Sequence, residues 1–180
     1  MKYLKYIALS MLFITLSCKD EKPIAHQEQQ TNISTFYLIR HAEKDRNDTE
    51  NTDPELNQKG LGRAMHWAEI LNDVDLDVIY STDYNRTSMT AAPTSVKKNI
   101  DVRYYDPRTM NVEQFKADNL NKKVLIVGHG NTIPALVNQF LGEEKYGQID
   151  DHENGTLFIV QIVNGTATDS KLTFNCNCPD

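Results

Sequence analysis

Cationic residues are scarce in this chain. Lysine and arginine number 19 against 25 aspartates and glutamates, a formal net charge of −6. That balance excludes the broad basic surface that sequence-independent nucleic-acid binding requires. Cysteine is scarce too. Cys18, Cys176 and Cys178 are too few for a structural zinc site unless histidines join them. No apolar run reaches the roughly 20 residues needed to cross a bilayer as a helix. Internal repeats and low-complexity segments are also missing. What remains is ordinary for a globular chain: 39% hydrophobic and 24% charged residues exclude a disordered protein. The length of 180 residues gives a prior of one domain with one core.

The N-terminus reads separately from the rest. Lys2 and Lys5 form a positive segment, Tyr6 to Leu16 an apolar one, and Ser17-Cys18 a junction followed by polar Lys19-Asp20-Glu21-Lys22. This resembles a bacterial lipoprotein signal cleaved before Cys18, with lipid on the Cys18 thiol. The position three before the cysteine is Thr15, where the commonest pattern has leucine. The expectation is a signal peptide over 1–17, a polar tether over 18–33 and a folded domain over 34–175. The mature protein would then be lipid-anchored to a bacterial membrane in the cell envelope, at the periplasmic or outer surface. Cys176 and Cys178 form a C-x-C pair that an oxidising compartment would allow to close as a disulfide; an unpaired tail is the alternative.

From residue 35 onward, strand-like and helix-like segments alternate. Strands are expected at 35–40, 77–81, 101–105, 123–128, 155–163 and 170–175, and helices at 57–72, 83–97, 111–120 and 132–141. Such alternation argues for an α/β fold with a mostly parallel sheet covered on both faces. Asn164-Gly165 is a hairpin signal, so the last connection is expected to be antiparallel. In the first helix, Leu61, Ala64, Trp67, Ala68 and Leu71 make one apolar stripe, and His66 falls off it. The helix at 132–141 has Asn131 or Thr132 as its cap and Gly142 past its end. Arg86 lies in the first turn of a helix capped near Thr82 or Asp83.

The segment with most chemistry is Thr35-Phe36-Tyr37-Leu38-Ile39, which ends in Arg40-His41-Ala42-Glu43. Charged groups are rarely buried unless paired, and the carboxyl ends of parallel strands are where α/β sheets bind ligands. Arg40 can fork two hydrogen bonds onto an anion. His41 can offer a neutral nitrogen near pH 7. Arg86 and His129 lie at or near the starts of two helices, whose free N–H groups also favour anions. Two arginines, two histidines and two helix N-termini make an oxyanion site. A phosphoryl group fits it best, with His41 as nucleophile.

With these residues on the page, the chain resembles the histidine phosphatase superfamily, the phosphoglycerate mutase-like proteins of the small branch 1 type, over roughly residues 35–163. The matching stretches are Arg40-His41-Ala42-Glu43, Asn47 six residues after the histidine, Leu56-Asn57-Gln58-Lys59-Gly60, then Ser81, Arg86, Thr87, Thr90 and Ala91, and finally His129 in Gly128-His129-Gly130-Asn131-Thr132. The resemblance implies a three-layer αβα sandwich. It implies that Arg40, Asn47, Arg86 and His129 bind the phosphoryl group, that His41 carries it covalently, and that neither metal nor cofactor is needed. Larger members place an acid in a Glu-x-x-x-Gly segment after the third strand, and that segment is missing. Asp106, at the end of the third strand, is the first candidate for protonating the leaving oxygen, and Glu43 the second.

The expected function is therefore a metal-independent phosphatase acting on a small phosphomonoester. A protein phosphohistidine phosphatase and a non-catalytic phosphate-binding module of the envelope are the alternatives. A mutase is disfavoured, because this chain is too short for the insertions that enclose a phosphoglycerate. The expected partners are a small phosphorylated substrate and, through Cys18, a membrane.

Overall fold

The protein is described here by a computed structural model covering residues 31–178. The expected signal peptide, Cys18 and almost all of the tether lie outside the described residues. Strands β1 (Ile33–Arg40), β2 (Val78–Ser81), β3 (Val102–Tyr104), β4 (Lys123–Gly128), β5 (Thr156–Val163) and β6 (Thr166–Thr173) alternate with helices α1 (Gln58–Ile70), α2 (Asn85–Lys98), α3 (Val112–Asp118) and α4 (Thr132–Leu141), up to a final β5–β6 hairpin. The sheet order is β3-β2-β4-β1-β5-β6. The first four strands in that order are parallel; β5 runs antiparallel to β1, and β6 to β5.

Side chains alternate across each strand, so a strand buried on both faces feeds two cores. Phe36 and Leu38 of β1, with Val124 and Ile126 of β4, pack against Phe115 of α3 and Phe140 of α4. Ile39, Leu125 and Val127 face the other way, onto Trp67 and Leu71. Trp67 is almost fully buried, and its truncation to alanine would cost about 3–5 kcal/mol. Asn164 and Gly165 both take positive φ, 50° and 86°, as a two-residue hairpin turn of this sequence requires. β6 begins at Thr166, four residues earlier than the pattern suggested, because this tight turn lets pairing start at once from Val163↔Thr166.

One detail of α1 departs from expectation. Leu61 is exposed, and Gly60 and Arg63 are buried instead. The helix starts hard against the segment after β1. A Cβ on Gly60 would lie 2.1 Å from the Glu43 carbonyl oxygen, so only glycine permits this approach, and the helix is rotated to present it. The parallel strands then bring Arg40, Ser81 and Gly128 to one sheet edge, in the registers Arg40↔Gly128 and Ser81↔Val127.

Candidate active site

His41 follows the last residue of β1 and is 4% exposed. Its Nδ1 lies 2.8 Å from the Ala42 carbonyl oxygen. A carbonyl only accepts, so Nδ1 carries the proton and Nε2 keeps its lone pair. The surrounding backbone is fixed from two sides: Asn154 Nδ2 donates to the His41 carbonyl at 2.9 Å, and the Ala42 N–H donates to Thr90 Oγ1 at 2.9 Å. Burial lowers the His41 pKa to about 3, with Arg40, His129 and Arg86 adding repulsion. The ring is therefore a neutral base at any physiological pH.

Arg40 is also 4% exposed. Its Nη1 donates to the Asp150 carbonyl at 2.6 Å and its Nη2 to Asp151 Oδ1 at 2.5 Å. Nε is buried and has no partner. An orphaned guanidinium N–H is costly unless something fills it. Gly130 leaves the space in front of it open, since a Cβ there would stand 3.4 Å from Nε. Arg86, in the first turn of α2, is held by Asp53, Nη1 to Oδ1 at 3.2 Å. The same Asp53 accepts the Asn85 backbone N–H at 2.9 Å. Thus α2 is capped from a distant loop; Tyr84, at its N-cap, makes no side-chain cap bond, and neither Thr82 nor Asp83 is the cap.

His129 follows β4, its ring centroid 5.5 Å from that of His41. Arg86 Nη2 points at its Nδ1 at 3.5 Å, and Thr82 Oγ1 lies 2.9 Å from its Nε2. Arginine can only donate, so Nδ1 is the bare nitrogen and Nε2–H donates to Thr82. Thr82 in turn donates to Thr87 Oγ1 at 3.1 Å, and Thr87 donates to the Thr82 and Tyr84 carbonyls. This chain of hydroxyls sets the tautomer of His129. Burial and the charges of Arg86 and Arg40 lower its pKa to about 4.

The remaining sequence candidates stand elsewhere. Asp106 takes the backbone N–H, Nε and Nη2 of Arg108 at 2.9–3.0 Å, and those bonds hold its carboxyl below the usual carboxylate range. That is the opposite of what a proton donor needs. Glu43 is clamped by Arg63, whose Nε reaches both carboxylate oxygens at 2.9 Å and whose Nη2 reaches Oε1 at 2.7 Å. Asn47 is exposed in the 45–55 loop, and its backbone N–H donates to Asp45. Among the described residues, no group of three or more His, Cys, Asp or Glu is placed to hold a metal ion. No helix among them is long and apolar enough to cross a membrane. Cys176 and Cys178 are joined as a disulfide.

A cleft of about 790 Å³ opens from Arg86 and His129 and runs past Tyr84, Tyr104, Tyr105 and Pro107 to the Asp106–Arg108 pair. Arg40 and His41 are not part of its lining. Sequence reasoning missed the carboxylates Asp53 and Asp151 and the amide Asn154. All three lie in polar loops far along the chain from the groups they hold, and no spacing rule connects them.

Comparison with known proteins agrees with this geometry. A model described as the histidine phosphatase superfamily (branch 1) matches residues 36–107. Phosphoserine phosphatase 1 of Hydrogenobacter thermophilus is 38% identical over 69 residues, which is 36% of this chain; the match spans about a third of that relative's length. Among solved structures, the α-ribazole phosphatase from Shigella flexneri superposes with a TM-score of 0.63 at 17% identity, covering 78% of this chain and 96% of that one. The protein histidine phosphatase SixA, complexed with tungstate, gives 0.61 at 13% identity, covering 77% and 96%. A mycobacterial glucosyl-3-phosphoglycerate phosphatase gives 0.59 at 16% identity, covering 81% and 100%. At these identities the structures speak for the fold alone, and the matched model, which spans less than half of the chain, shows that residues 36–107 are similar to the histidine phosphatase superfamily (branch 1).

Proposed function

We propose that this protein is a metal-independent phosphatase that hydrolyses a small phosphomonoester through a phosphohistidine on His41. The observation that carries this reading is the neutral His41 Nε2, fixed by the Nδ1 bond to Ala42 and faced by a second imidazole and two arginines. Nε2 attacks phosphorus, the ester P–O bond breaks, and the leaving oxygen departs with the bonding pair. The oxygens of the transferring group gain charge-assisted bonds from Arg40 Nε and from Arg86, and His129 joins them once protonated at Nδ1. Water then attacks phosphorus and the N–P bond breaks. Inorganic phosphate leaves and Nε2 recovers its lone pair.

The test is hydrolysis of p-nitrophenyl phosphate by the full chain in EDTA, with acid-labile, base-stable phosphate trapped on the protein. His41→Ala should lose both the trapped label and several orders of magnitude in rate. Loss of activity on chelation, restored by a divalent metal, would overturn the mechanism. A protein phosphohistidine phosphatase is the second reading. It is favoured by the ion-paired state of both carboxyl candidates, since an imidazole leaving group needs little help from an acid.

The lipoprotein reading belongs to the same proposal: Cys18 carries lipid and holds the domain at an envelope membrane, on the strength of the Lys2, Lys5 and Ser17-Cys18 pattern. Radiolabelled palmitate should enter the wild type and not Cys18→Ala. Equal labelling would remove the anchor from the proposal and leave the phosphatase untouched.

A further inference from the structure

The cleft has two chemically different ends. At the inner end, Arg86 and His129 are polar and cationic or basic. Beyond them the wall is aromatic. The Tyr84 ring stands edge-on to His129 with centroids 5.0 Å apart, and the Arg86 guanidinium carbon lies 4.4 Å from the Tyr84 centroid. Tyr104 follows at the end of β3, with Pro107 and Tyr105 completing the wall. Tyr84 and Tyr104 are 41% and 58% exposed, large for aromatic rings beside a cleft. The Tyr104 hydroxyl accepts a long 3.5 Å bond from Ser88 Oγ. Two solvent-facing rings in the wall of this cleft, one of them against Arg86 and His129, are a surface that a flat apolar group would cover.

Position decides where such a group must sit on the substrate. His41 neighbours His129, with ring centroids 5.5 Å apart, and does not line the cleft, whereas His129 and Arg86 do. In-line attack sends the leaving group away from the nucleophile, hence into the cleft. Tyr84 already touches both His129 and Arg86, so the ring it meets must follow the ester oxygen directly, with no long spacer.

A second observation is independent of the rings. A leaving alkoxide needs a proton, and the two carboxyls that the sequence offers for that role are both engaged by arginines. Asp106 pairs with Arg108 and Glu43 with Arg63. The Tyr105 hydroxyl is buried beneath Gly128, out of contact with solvent. A phenolate leaves without such help, because a phenol has a pKa near 10 whereas water's is about 15.7.

Resting on the phosphatase reading, we infer that the preferred substrates are aryl phosphates, in which the transferred phosphoryl group is esterified directly to an aromatic ring that packs against Tyr84 and Tyr104. The phosphoryl group passes to His41, the P–O bond breaks, and the phenolate leaves with the electron pair. Water then attacks phosphorus and the N–P bond breaks, its pair returning to His41 Nε2; one proton of the water neutralises the phenolate in solvent, and phosphate and a phenol are the products.

The test compares four substrates on the full chain: acetyl phosphate, phenyl phosphate, 1-naphthyl phosphate and benzyl phosphate. Acetyl phosphate has a good leaving group and no ring. Benzyl phosphate has the ring but leaves as an alkoxide. The expected order of kcat/KM places both aryl esters at least about 100-fold above the benzyl ester, the scale of one missing general acid. Tyr104→Ala should raise KM for the aryl esters roughly 5–10-fold, the scale of one aromatic contact, and leave acetyl phosphate unchanged. Benzyl phosphate hydrolysed as well as phenyl phosphate would overturn the inference. So would an equal effect of Tyr104→Ala on acetyl and phenyl phosphate. If acetyl phosphate is hydrolysed and the aryl esters are not, the phosphatase reading stands and this inference alone fails. If none of the four is hydrolysed, both fail together.

Discussion

Two buried neutral imidazoles make a definite demand on stability. The folded pKa values of His41 and His129 are about 3 and about 4, both below the ordinary value near 6.5. As pH falls through 6.5 the unfolded chain takes up protons at these two positions and the folded chain does not. Stability must therefore drop with acidification, and it goes on dropping until the folded pKa values are reached. Between pH 7.5 and pH 5, an imidazole that ionises only in the unfolded state costs up to about 2 kcal/mol. Both rings retain some solvent contact, so we halve that figure, which leaves about 2 kcal/mol for the pair. The shifted carboxylates Asp106, Asp151 and Asp169 are all lowered from 3.8. Their stabilisation is present above that value and is lost only in more acid solution, so this window isolates the histidines. The assay is urea unfolding at pH 7.5, 6 and 5. The wild-type midpoint should fall by about 1 M over the range, for a slope near 2 kcal/mol/M. The double variant His41→Asn, His129→Asn should be nearly flat. Parallel decline of both proteins would refute the premise that these rings are held neutral by the fold.

Two further predictions concern how the site is held. Thr82→Val removes the acceptor that fixes the His129 tautomer, and kcat/KM for p-nitrophenyl phosphate should fall up to about tenfold, the worth of one hydrogen bond, with Thr82→Ser restoring most of it. Asp106→Asn should change the rates with phenyl and benzyl phosphate equally and by no more than about threefold, as for an exposed ion pair. Glu43→Gln breaks a largely buried pair with Arg63 and should cost about 3 kcal/mol of stability in a urea melt, again with no dependence on the leaving group. A benzyl-specific loss in either variant would identify that residue as the acid after all.

The fold was legible because its signals are local. Phe36 and Leu38 alternate with Tyr37 and Ile39 in an apolar run that only a strand covered on both faces can bury. The Asn164-Gly165 pair demanded a tight hairpin, and Gly142 ended α4 in the left-handed conformation, φ 74°. The misreadings have non-local causes. Leu61 sits on the apolar stripe by spacing, yet the contact between Gly60 and the Glu43 backbone rotates α1 and turns that side chain outward. The cap of α2 was sought among its own preceding residues, but Asp53 supplies it from 32 positions away.

The same distinction separates the legible part of the site from the rest. Arg40, His41, Arg86 and His129 come together because each ends or follows a strand or opens a helix, and the sheet carries such places to one edge. The state of a carboxyl has no such address. Asp106 ends a strand beside the cleft, as an acid would, but Arg108 two residues on folds back and holds it ionised. Glu43 stands two residues from His41, but Arg63 claims both its oxygens. In each case the partner arginine lies where no spacing rule for the carboxyl would place it. The arginines themselves obey the same logic in reverse. Asp151 and Asp53 each hold one guanidinium by part of its donor set, which fixes its plane and leaves other N–H groups for the substrate. Arg40 shows this most clearly: two of its nitrogens are spent on Asp150 and Asp151, and the one left unpaired is the buried Nε. In a chain with a net charge of −6, acidic loops therefore do not cancel these two guanidiniums but orient them.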